Sequence, residues 1–225
     1  MERNKAIKES WDRNAGLWLR AVREGLIARR PAGTDQTVLD HIAARKPKLL
    51  LHVRSRAGWL VRRAREMTGC AGTGFDACAA LIEAARAADP QGRYEIAAYD
   101  DIVGGKDNLG GGFDCIVCNY GLFEENITPL LEALRRRLKP NGAMVIQTLH
   151  PAFRGDDRNA DGGWQLEDFA VFQDPGWEPM PWYARSLEAW RDTLHEAGLR
   201  VAQQIEPRTK ASADPLSLIL VCTAD

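Results

Sequence analysis

The sequence predicts an α/β fold: a doubly wound, mostly parallel sheet of seven strands with helices on both faces. Short apolar runs alternate with helical segments through residues 47–149, which is the rhythm of βαβ units. The run Leu49–Val53 is continuously apolar around one histidine, as is typical of a buried parallel strand. Residues 186–225 add a helix and two β-like runs, which we expect to close the sheet as an antiparallel pair.

The composition is that of one globular domain spanning residues 1–225. Of the 225 residues, 45% are hydrophobic and 27% are charged, which excludes a disordered chain and a coiled coil. The net charge of -1 gives no reason to expect a nucleic acid or a membrane as partner. No apolar run approaches the ~18 residues of a membrane span, and the polar start lacks a signal peptide's apolar stretch. We therefore expect a cytoplasmic protein.

Residues 1–46 are predicted to form a helical cap. Trp11, Ala15 and Trp18 recur at helical spacing. A second helix is expected to stop before Pro47, because the residue before a proline disfavours the helical conformation.

Residues 47–149 form the half of the domain in which we expect a cofactor to bind. The predicted strands are 49–53, 70–75, 94–99, 115–119 and 143–149. The predicted helices are 58–68, 79–88 and 128–138. In such sheets ligands bind beyond the carboxyl ends of the strands.

Residues 150–185 break this rhythm and predict a lid or binding element, since so long an irregular segment is uncommon inside a compact domain. The segment is rich in aromatic residues, namely Phe153, Trp164, Phe169, Phe172, Trp177, Trp182 and Tyr183. We expect Trp164, Trp182 and Tyr183 to contact a substrate. Residues 186–225 are predicted to form a helix at 187–197 and strands at 200–205 and 217–223.

The C-x-x-C pair of Cys115 and Cys118 does not indicate a metal or redox site. Both cysteines fall in a predicted strand, where residues three apart point to opposite faces. We predict no metal, and we expect the five cysteines to be free, as in a reducing compartment.

Several segments, taken in this order, resemble the class I S-adenosylmethionine (SAM)-dependent methyltransferases that act on small molecules. They are Trp11-Asp12 with Asn14-Ala15 and Trp18, GFDAC at 74–78 with LIEAAR at 81–86, FDCIVCN at 113–119, LKPNG at 138–142 and QTLHP at 147–151. The resemblance covers nearly the whole chain and implies that family's Rossmann-like fold. It implies SAM as cofactor, if the site is competent, and a small organic substrate.

The resemblance also implies roles for residues at the strand ends. Asp76 matches the acid that accepts hydrogen bonds from the ribose, although it is also placed to start a helix. Asp101 and Ile102, with Asp100, match the segment beside the adenine, or are a solvated loop. Asn119 and Tyr120 match the methionine end of the site, and Tyr120 is equally consistent with core packing. Trp11 is expected to cap the pocket by cation–π contact, or to pack in the core.

The loop after the first strand departs from the family pattern, which is approximately L-L-D-V-G-C-G-E-G-W-L. Residues 50–60 here are LLHVRSRAGWL, so His52, Arg54 and Arg56 replace an acid and two glycines, whereas Gly58 is retained. Two cations beside a sulfonium repel it, and like charges in a partly buried site cost several kcal/mol. We therefore expect ordinary SAM binding to be lost or altered.

The arginine pair has three interpretations. Arg54 and Arg56 form a solvated loop, an anion site near the helix that begins at Gly58, or a plug paired with Asp76 or Asp100. An anion site would suit a carboxylate or phosphate. A repurposed enzyme predicts an open pocket lined by Arg54, Tyr120, His150 and insertion aromatics.

His150 and Tyr120 are the candidate catalytic residues. His150 follows the fifth strand and has the intrinsic pKa of a general base, although a structural hydrogen bond is an equal alternative. Two functions follow: a pseudo-methyltransferase or repurposed enzyme that binds a small molecule, or an active methyltransferase with an unusual loop. A silent protein would pair with an active homologue or with a second copy of itself, through an exposed apolar surface.

Overall fold

The computed structural model describes residues 2–24, 34–152, 162–208 and 215–224. The strands are β1 (Leu49–Val53), β2 (Ala71–Asp76), β3 (Arg93–Ile96), β4 (Phe113–Asn119), β5 (Leu138–Leu149), β6 (Gly163–Glu167), β7 (Met180–Ala184), β8 (Leu199–Ile205) and β9 (Ser217–Ala224). The helices are α1 (Glu2–Arg23), α2 (Thr34–Ala44), α3 (Trp59–Thr68), α4 (Ala79–Ala88), α5 (Tyr99–Val103), α6 (Thr128–Arg135) and α7 (Leu187–Glu196).

Seven strands form one sheet in the order β3-β2-β1-β4-β5-β9-β8. The first five are parallel to their neighbours, and β9 runs antiparallel to both β5 and β8. This confirms the predicted doubly wound fold with its antiparallel closing pair. The order reverses between β1 and β4, so the carboxyl ends of β1, β2 and β4 frame the crevice in which such folds bind ligands.

The core lies on both faces of the sheet. On one face α2 and α3 pack against Leu50, Cys115 and Val117. On the other face α6 and α7 pack against a cluster that includes Ile116 and Cys118. Cys115 and Cys118 therefore point to opposite faces, as predicted, and all five cysteines are buried and free.

Three predicted boundaries are wrong by three residues or more: the end of the third strand, the end of α6 and the start of β5. The third strand ends at Ile96, and Tyr99 begins α5 instead, because Asp101 accepts a hydrogen bond from the Ala98 amide over 2.9 Å and caps that helix. Helix α6 ends at Arg135 and β5 begins at Leu138, where Leu138 pairs with Phe113 ahead of a register shift.

The aromatic segment forms a two-stranded antiparallel hairpin, β6–β7, with a 3₁₀ turn at Ala170–Phe172 between the strands. It packs against α1 in one aromatic cluster that includes Trp11, Trp18, Phe169 and Trp177. Phe153 lies outside the described residues.

Asn14 joins the hairpin segment to α1. Its side-chain amide donates to the Glu178 carbonyl over 2.7 Å, and its oxygen accepts from the Glu178 amide over 2.9 Å. Among the helices of the described residues, none is both long enough and apolar enough to cross a membrane.

Candidate functional site

The loop from Arg54 to Gly58 connects β1 to α3 at the crevice. Arg54, Arg56 and Gly58 have φ angles of 56°, 50° and 74°, all in the left-handed region. A residue other than glycine costs about 1–2 kcal/mol in this conformation. At Gly58 a side chain is also excluded, since a Cβ would lie 2.6 Å from the Tyr94 ring. The loop thus has the backbone conformation that suits glycine, with arginine at two of its positions.

Arg56 ties the loop to its surroundings. Its guanidinium donates to the carbonyl oxygens of Tyr120 over 2.5 Å and Asn119 over 3.5 Å. The guanidinium carbon lies 4.9 Å from the ring centroid of Trp11 and 5.0 Å from that of Trp18. Contacts at these distances are cation–π interactions. Arg56 is 3% exposed and links the ends of β1 and β4 to α1.

Arg54 points into a neighbouring aromatic enclosure. Its guanidinium carbon lies 5.4 Å from the ring centroid of Tyr99, 5.5 Å from Phe123 and 5.9 Å from Trp11. The residue is 8% exposed. Its Nη1 is buried and has no hydrogen-bond partner in the described residues. The two guanidinium groups thus share the Trp11 ring as one wall.

His52 lies on β1 with no exposed surface. Burial, and then the charge of Arg56, lowers the pKa of its ring to about 3. Across the described part of the chain, neither ring nitrogen has a hydrogen-bond partner. His52 is therefore neutral near pH 7 and does not replace the charge of the acid in the family pattern.

Asp76 ends β2 and is 4% exposed. Its Oδ2 accepts from the backbone amide of Arg56 and its Oδ1 from that of Cys78, each over 3.0 Å. The carboxylate therefore stabilises the first loop and the start of α4. The guanidinium of Arg54 forms no ion pair with Asp76 or Asp100 among the described contacts.

A cavity of about 600 Å³ opens beside Arg54. Its described lining comes from α1, the end of β2, α5 and the loop after β4. The lining residues are Asn4, Lys5, Lys8, Arg54, Phe75, Asp76, Ala77, Ala97, Ala98, Tyr99, Asp100 and Glu124. We refer to this space as the Arg54 cavity.

Asp101 and Ile102 are directed elsewhere. Asp101 caps α5 through the Ala98 amide, and Ile102 is buried in the core. Asp100 is the member of this segment that reaches the Arg54 cavity.

Asn119 and Tyr120 meet the site through their backbone. The Asn119 side chain donates a hydrogen bond to Oε1 of Gln147 over 2.6 Å. The side-chain amide of Gln147 in turn donates to the Thr34 carbonyl and the Ser217 hydroxyl. Tyr120 has a left-handed φ of 45°, and its carbonyl oxygen is the acceptor for Arg56.

His150 directly follows β5, which lies two strands from β1 in the sheet. Its Nδ1 accepts from the Ala152 amide over 3.1 Å, and its Nε2 lies 3.7 Å from Oε1 of Glu206. Ala152 is in the turn after β5, and Glu206 directly follows β8. Neither His150 nor Tyr120 is among the described residues that line the Arg54 cavity, so the predicted pocket joining both to Arg54 is not the one found.

The three predicted substrate residues lie on the hairpin. Trp164 and Tyr183 are directly opposite each other across β6–β7, with an edge-to-face ring contact at 5.5 Å. Trp182 packs against the aromatic cluster formed between the hairpin segment and α1. The Arg54 cavity has none of the three in its described lining.

Sequence reasoning missed four residues that shape the site: Lys8, Tyr99, Phe123 and Glu124. Lys8 lies three residues before Trp11, so helical spacing places both on one side of α1. That signal was available in the sequence. Phe123 and Glu124 lie in the loop after β4, where no periodic pattern singles them out.

Comparison with known proteins supports the fold. A family model described as a methyltransferase domain matches residues 31–204. No curated protein matches the sequence. Solved structures do match it, and the three described below are each under 25% identical, so they support the fold alone.

Three of these structures illustrate the likeness. A TehB-like SAM-dependent methyltransferase from Corynebacterium glutamicum is 17% identical, with a TM-score of 0.64, and the match covers 94% of this chain and 98% of that one. A SAM-dependent methyltransferase from Mesorhizobium loti is 20% identical, with a TM-score of 0.60, and the match covers 81% of this chain and 95% of that one. A SAM-dependent methyltransferase from Clostridium acetobutylicum is 11% identical, with a TM-score of 0.62, and the match covers 84% of this chain and 90% of that one. Because the family model matches most of the chain, the chain belongs to the methyltransferase-domain family, and its strand order is that of the Rossmann-like class I methyltransferase fold.

Proposed function

We propose that this protein uses the methyltransferase fold to bind or act on a small organic molecule, and that ordinary SAM binding is lost or altered. One observation carries the proposal: Arg54 and Arg56 hold their guanidinium groups against Trp11, in the crevice where the fold binds its cofactor.

The residues present do not fit a sulfonium ligand there. Aromatic faces that would stabilise a ligand cation already contact the protein's own cations. Like charges about 4 Å apart repel by about 4 kcal/mol at an effective dielectric constant of 20, and every 1.4 kcal/mol lowers affinity tenfold. His52, neutral and buried, supplies no negative charge to offset this repulsion.

Calorimetric titration with SAM and with S-adenosylhomocysteine tests the proposal. We expect no binding of SAM at millimolar concentration to folded protein. Because S-adenosylhomocysteine lacks the sulfonium charge, any residual binding should favour it over SAM. Micromolar binding of SAM contradicts the proposal.

Reversion of the loop identifies the cause. The triple variant His52→Asp, Arg54→Gly and Arg56→Gly should gain SAM affinity. Arg63→Gln is the matched control, because Arg63 lies on the exposed side of α3 in an ion pair with Glu66. A thermal melt of each variant establishes that it is folded.

A second function is favoured by the Arg54 cavity, which retains Asp76 and Asp100 in its lining. If the loop rearranges on binding, the protein is an active SAM-dependent methyltransferase of a small molecule. His150 and Tyr120 are then the proposed proton acceptors, with Trp164, Trp182 and Tyr183 against the substrate. Methyl transfer from labelled SAM to a panel of small molecules, lost in His150→Gln, tests this alternative.

Assembly is a separate proposal. A silent methyltransferase-like protein would act through a second copy of the chain or an active homologue. Light scattering on the purified protein distinguishes a monomer from a homo-oligomer.

A further inference from the structure

The described lining of the Arg54 cavity includes three cations, and two of them already have carboxylate partners. Lys8 lies 2.8 Å from Asp12 and Lys5 lies 3.5 Å from Glu9. Arg54 has no carboxylate within ion-pair distance anywhere in the described residues. It is therefore the lining cation whose charge is left for a ligand.

The burial of Arg54 makes this unpaired charge significant. The residue is 8% exposed, and a buried charge is unfavourable unless it is paired or hydrogen-bonded. The three aromatic rings around it offset part of that cost. They accept no conventional hydrogen bond, and Nη1 lacks an acceptor in the described chain. A guanidinium with donors to spare is a receptor for a carboxylate or phosphate.

Arg56 is not equivalent. Its guanidinium donates to the carbonyl oxygens of residues 119 and 120 and lies between Trp11 and Trp18. Of the two arginines, Arg56 holds the loop in place and Arg54 faces the cavity.

The acidic residues of the lining restrict the ligand further. Asp76, Asp100 and Glu124 contribute to the same cavity. Burial raises the pKa of Glu124, the charge of Arg54 lowers it, and that of Asp100 raises it, so these groups act on one another. Carboxylates repel a bare anion, but they accept hydrogen bonds from hydroxyl and ammonium groups. The wall opposite the cation therefore favours a ligand that carries such donors.

We infer that the Arg54 cavity binds a small carboxylate or phosphate bearing hydroxyl or ammonium groups, with its oxyanion on Arg54 and its donors toward Asp76 and Asp100. Glu124, whose ionised form the charge of Arg54 favours, competes with the oxyanion for Arg54. The volume of about 600 Å³ lies within the usual range of small-molecule sites. This inference rests on the proposed function, because SAM in its ordinary pose would occupy the same crevice.

Calorimetric titration of the full chain with four probes tests the inference. Ribose 5-phosphate and gluconate carry both an oxyanion and hydroxyl groups. Ribose lacks the oxyanion, and inorganic phosphate lacks the hydroxyl groups. We expect at least one of the first two to bind more tightly than both single-function probes. Binding of ribose 5-phosphate alone identifies a phosphate ligand, and binding of gluconate alone a carboxylate. If neither binds at millimolar concentration, the inference is overturned.

Two variants locate the ligand. Arg54→Gln should weaken binding of the stronger probe by about 10- to 100-fold, the range for loss of a charge-assisted hydrogen bond. Glu124→Gln should strengthen it severalfold, because a negative charge facing the anion is removed while the oxygen that accepts from Asn4 has an equivalent. Arg63→Gln should leave affinity unchanged.

The gain in Glu124→Gln keeps the test decisive if Arg54→Gln does not fold, since damage to the fold cannot tighten binding. Weaker binding by Glu124→Gln, or unchanged binding by folded Arg54→Gln, overturns the inference. SAM titrated in the same buffer separates the two proposals. Micromolar SAM binding contradicts the proposed function. If neither SAM nor any of the four probes binds, only the inference of an anion site is overturned.

Discussion

The backbone amide of Arg56 donates to Oδ2 of Asp76 over 3.0 Å, so the loop after β1 is tied to the end of β2. The side chain of Arg56 reaches the carbonyls that follow β4. One residue therefore connects three neighbouring strand ends at the crevice. Asp76, which the family resemblance predicts to bind a ribose, therefore holds this loop in place through a hydrogen bond to its backbone.

Replacing Arg56 should destabilise the fold. Arg56→Ala removes hydrogen bonds from a charged donor, each contributing about 1.5–3 kcal/mol, and the contacts with Trp11 and Trp18. We expect a loss of about 2–4 kcal/mol in the free energy of unfolding, measured in urea. Arg56→Gly should be about 1 kcal/mol more stable than Arg56→Ala, because glycine adopts the left-handed φ without strain. Equal stability of Arg56→Ala and the natural protein contradicts the role of this residue.

His52 should make stability depend on pH. Burial lowers the pKa of its ring from 6.5 to about 3, so the unfolded chain takes up a proton that the folded chain does not. As pH falls from 6.5 toward 3, the free energy of unfolding should fall by about 1.4 kcal/mol per pH unit from this group. His52→Leu should remove that increment, measured by urea unfolding at pH 7, 6 and 5. His195→Gln, at an exposed position, should retain it.

The pair of Asp107 and Arg137 should stabilise the segments that lead into the central strands β4 and β5. Burial raises the pKa of Asp107, but the hydrogen bonds from Arg137 at 2.8 and 2.6 Å, the amide of Leu109 and the charge of Arg137 together outweigh it, and the pKa is lowered. Asp107→Asn should cost about 3 kcal/mol at pH 7. A lowered carboxyl pKa stabilises the fold above the unfolded value of ~3.9 and loses this effect as pH falls through the folded value. The difference between variant and natural protein should therefore shrink in acid.

Urea unfolding between pH 7 and 3 measures this effect. Glu95→Gln is the control, because the Glu95–Arg93 pair is more exposed and surface pairs contribute about 0–1 kcal/mol. A constant penalty for Asp107→Asn across this pH range would show that ionisation of Asp107 is not the cause.

Asn14 should control docking of the hairpin segment on α1. Asn14→Ala leaves the Glu178 amide without its partner, at about 1–3 kcal/mol, whereas the Glu178 carbonyl keeps the hydrogen bond from the Ser10 hydroxyl at 3.2 Å. We expect faster proteolysis within residues 162–185 and a lower melting temperature. Asn108→Ala, at an exposed loop position, should change neither. Resistance to protease equal to that of the natural protein would argue that the aromatic cluster alone holds the segment.

Periodicity was enough to predict the sheet and most helices, since buried parallel strands and amphipathic helices have strong local patterns. The end of β3 was missed because Tyr99 continues an apolar run, while the cap formed by Asp101 depends on a single hydrogen bond. The start of β5 depends on pairing between Leu138 and Phe113, which are distant in sequence.

The site was less predictable than the fold. The replaced glycines identified Arg54 and Arg56 as its unusual feature, but their surroundings come from α1, α5 and the loop after β4. Which carbonyls accept from Arg56, and which rings enclose Arg54, are set by packing between these elements. Asp101 and Asp100 are adjacent in sequence, and only the formation of α5 decides which of them faces the Arg54 cavity.

The contact between Asn14 and Glu178 joins residues 164 positions apart in the chain. Closing so long a loop is entropically costly and slows folding, because local contacts cannot lead to it stepwise. Trp11 and Trp18 become buried only when the hairpin segment docks on α1. The same two rings contact Arg56. The crevice is therefore completed late in folding, and until then its aromatic walls are exposed to chaperones or to aggregation.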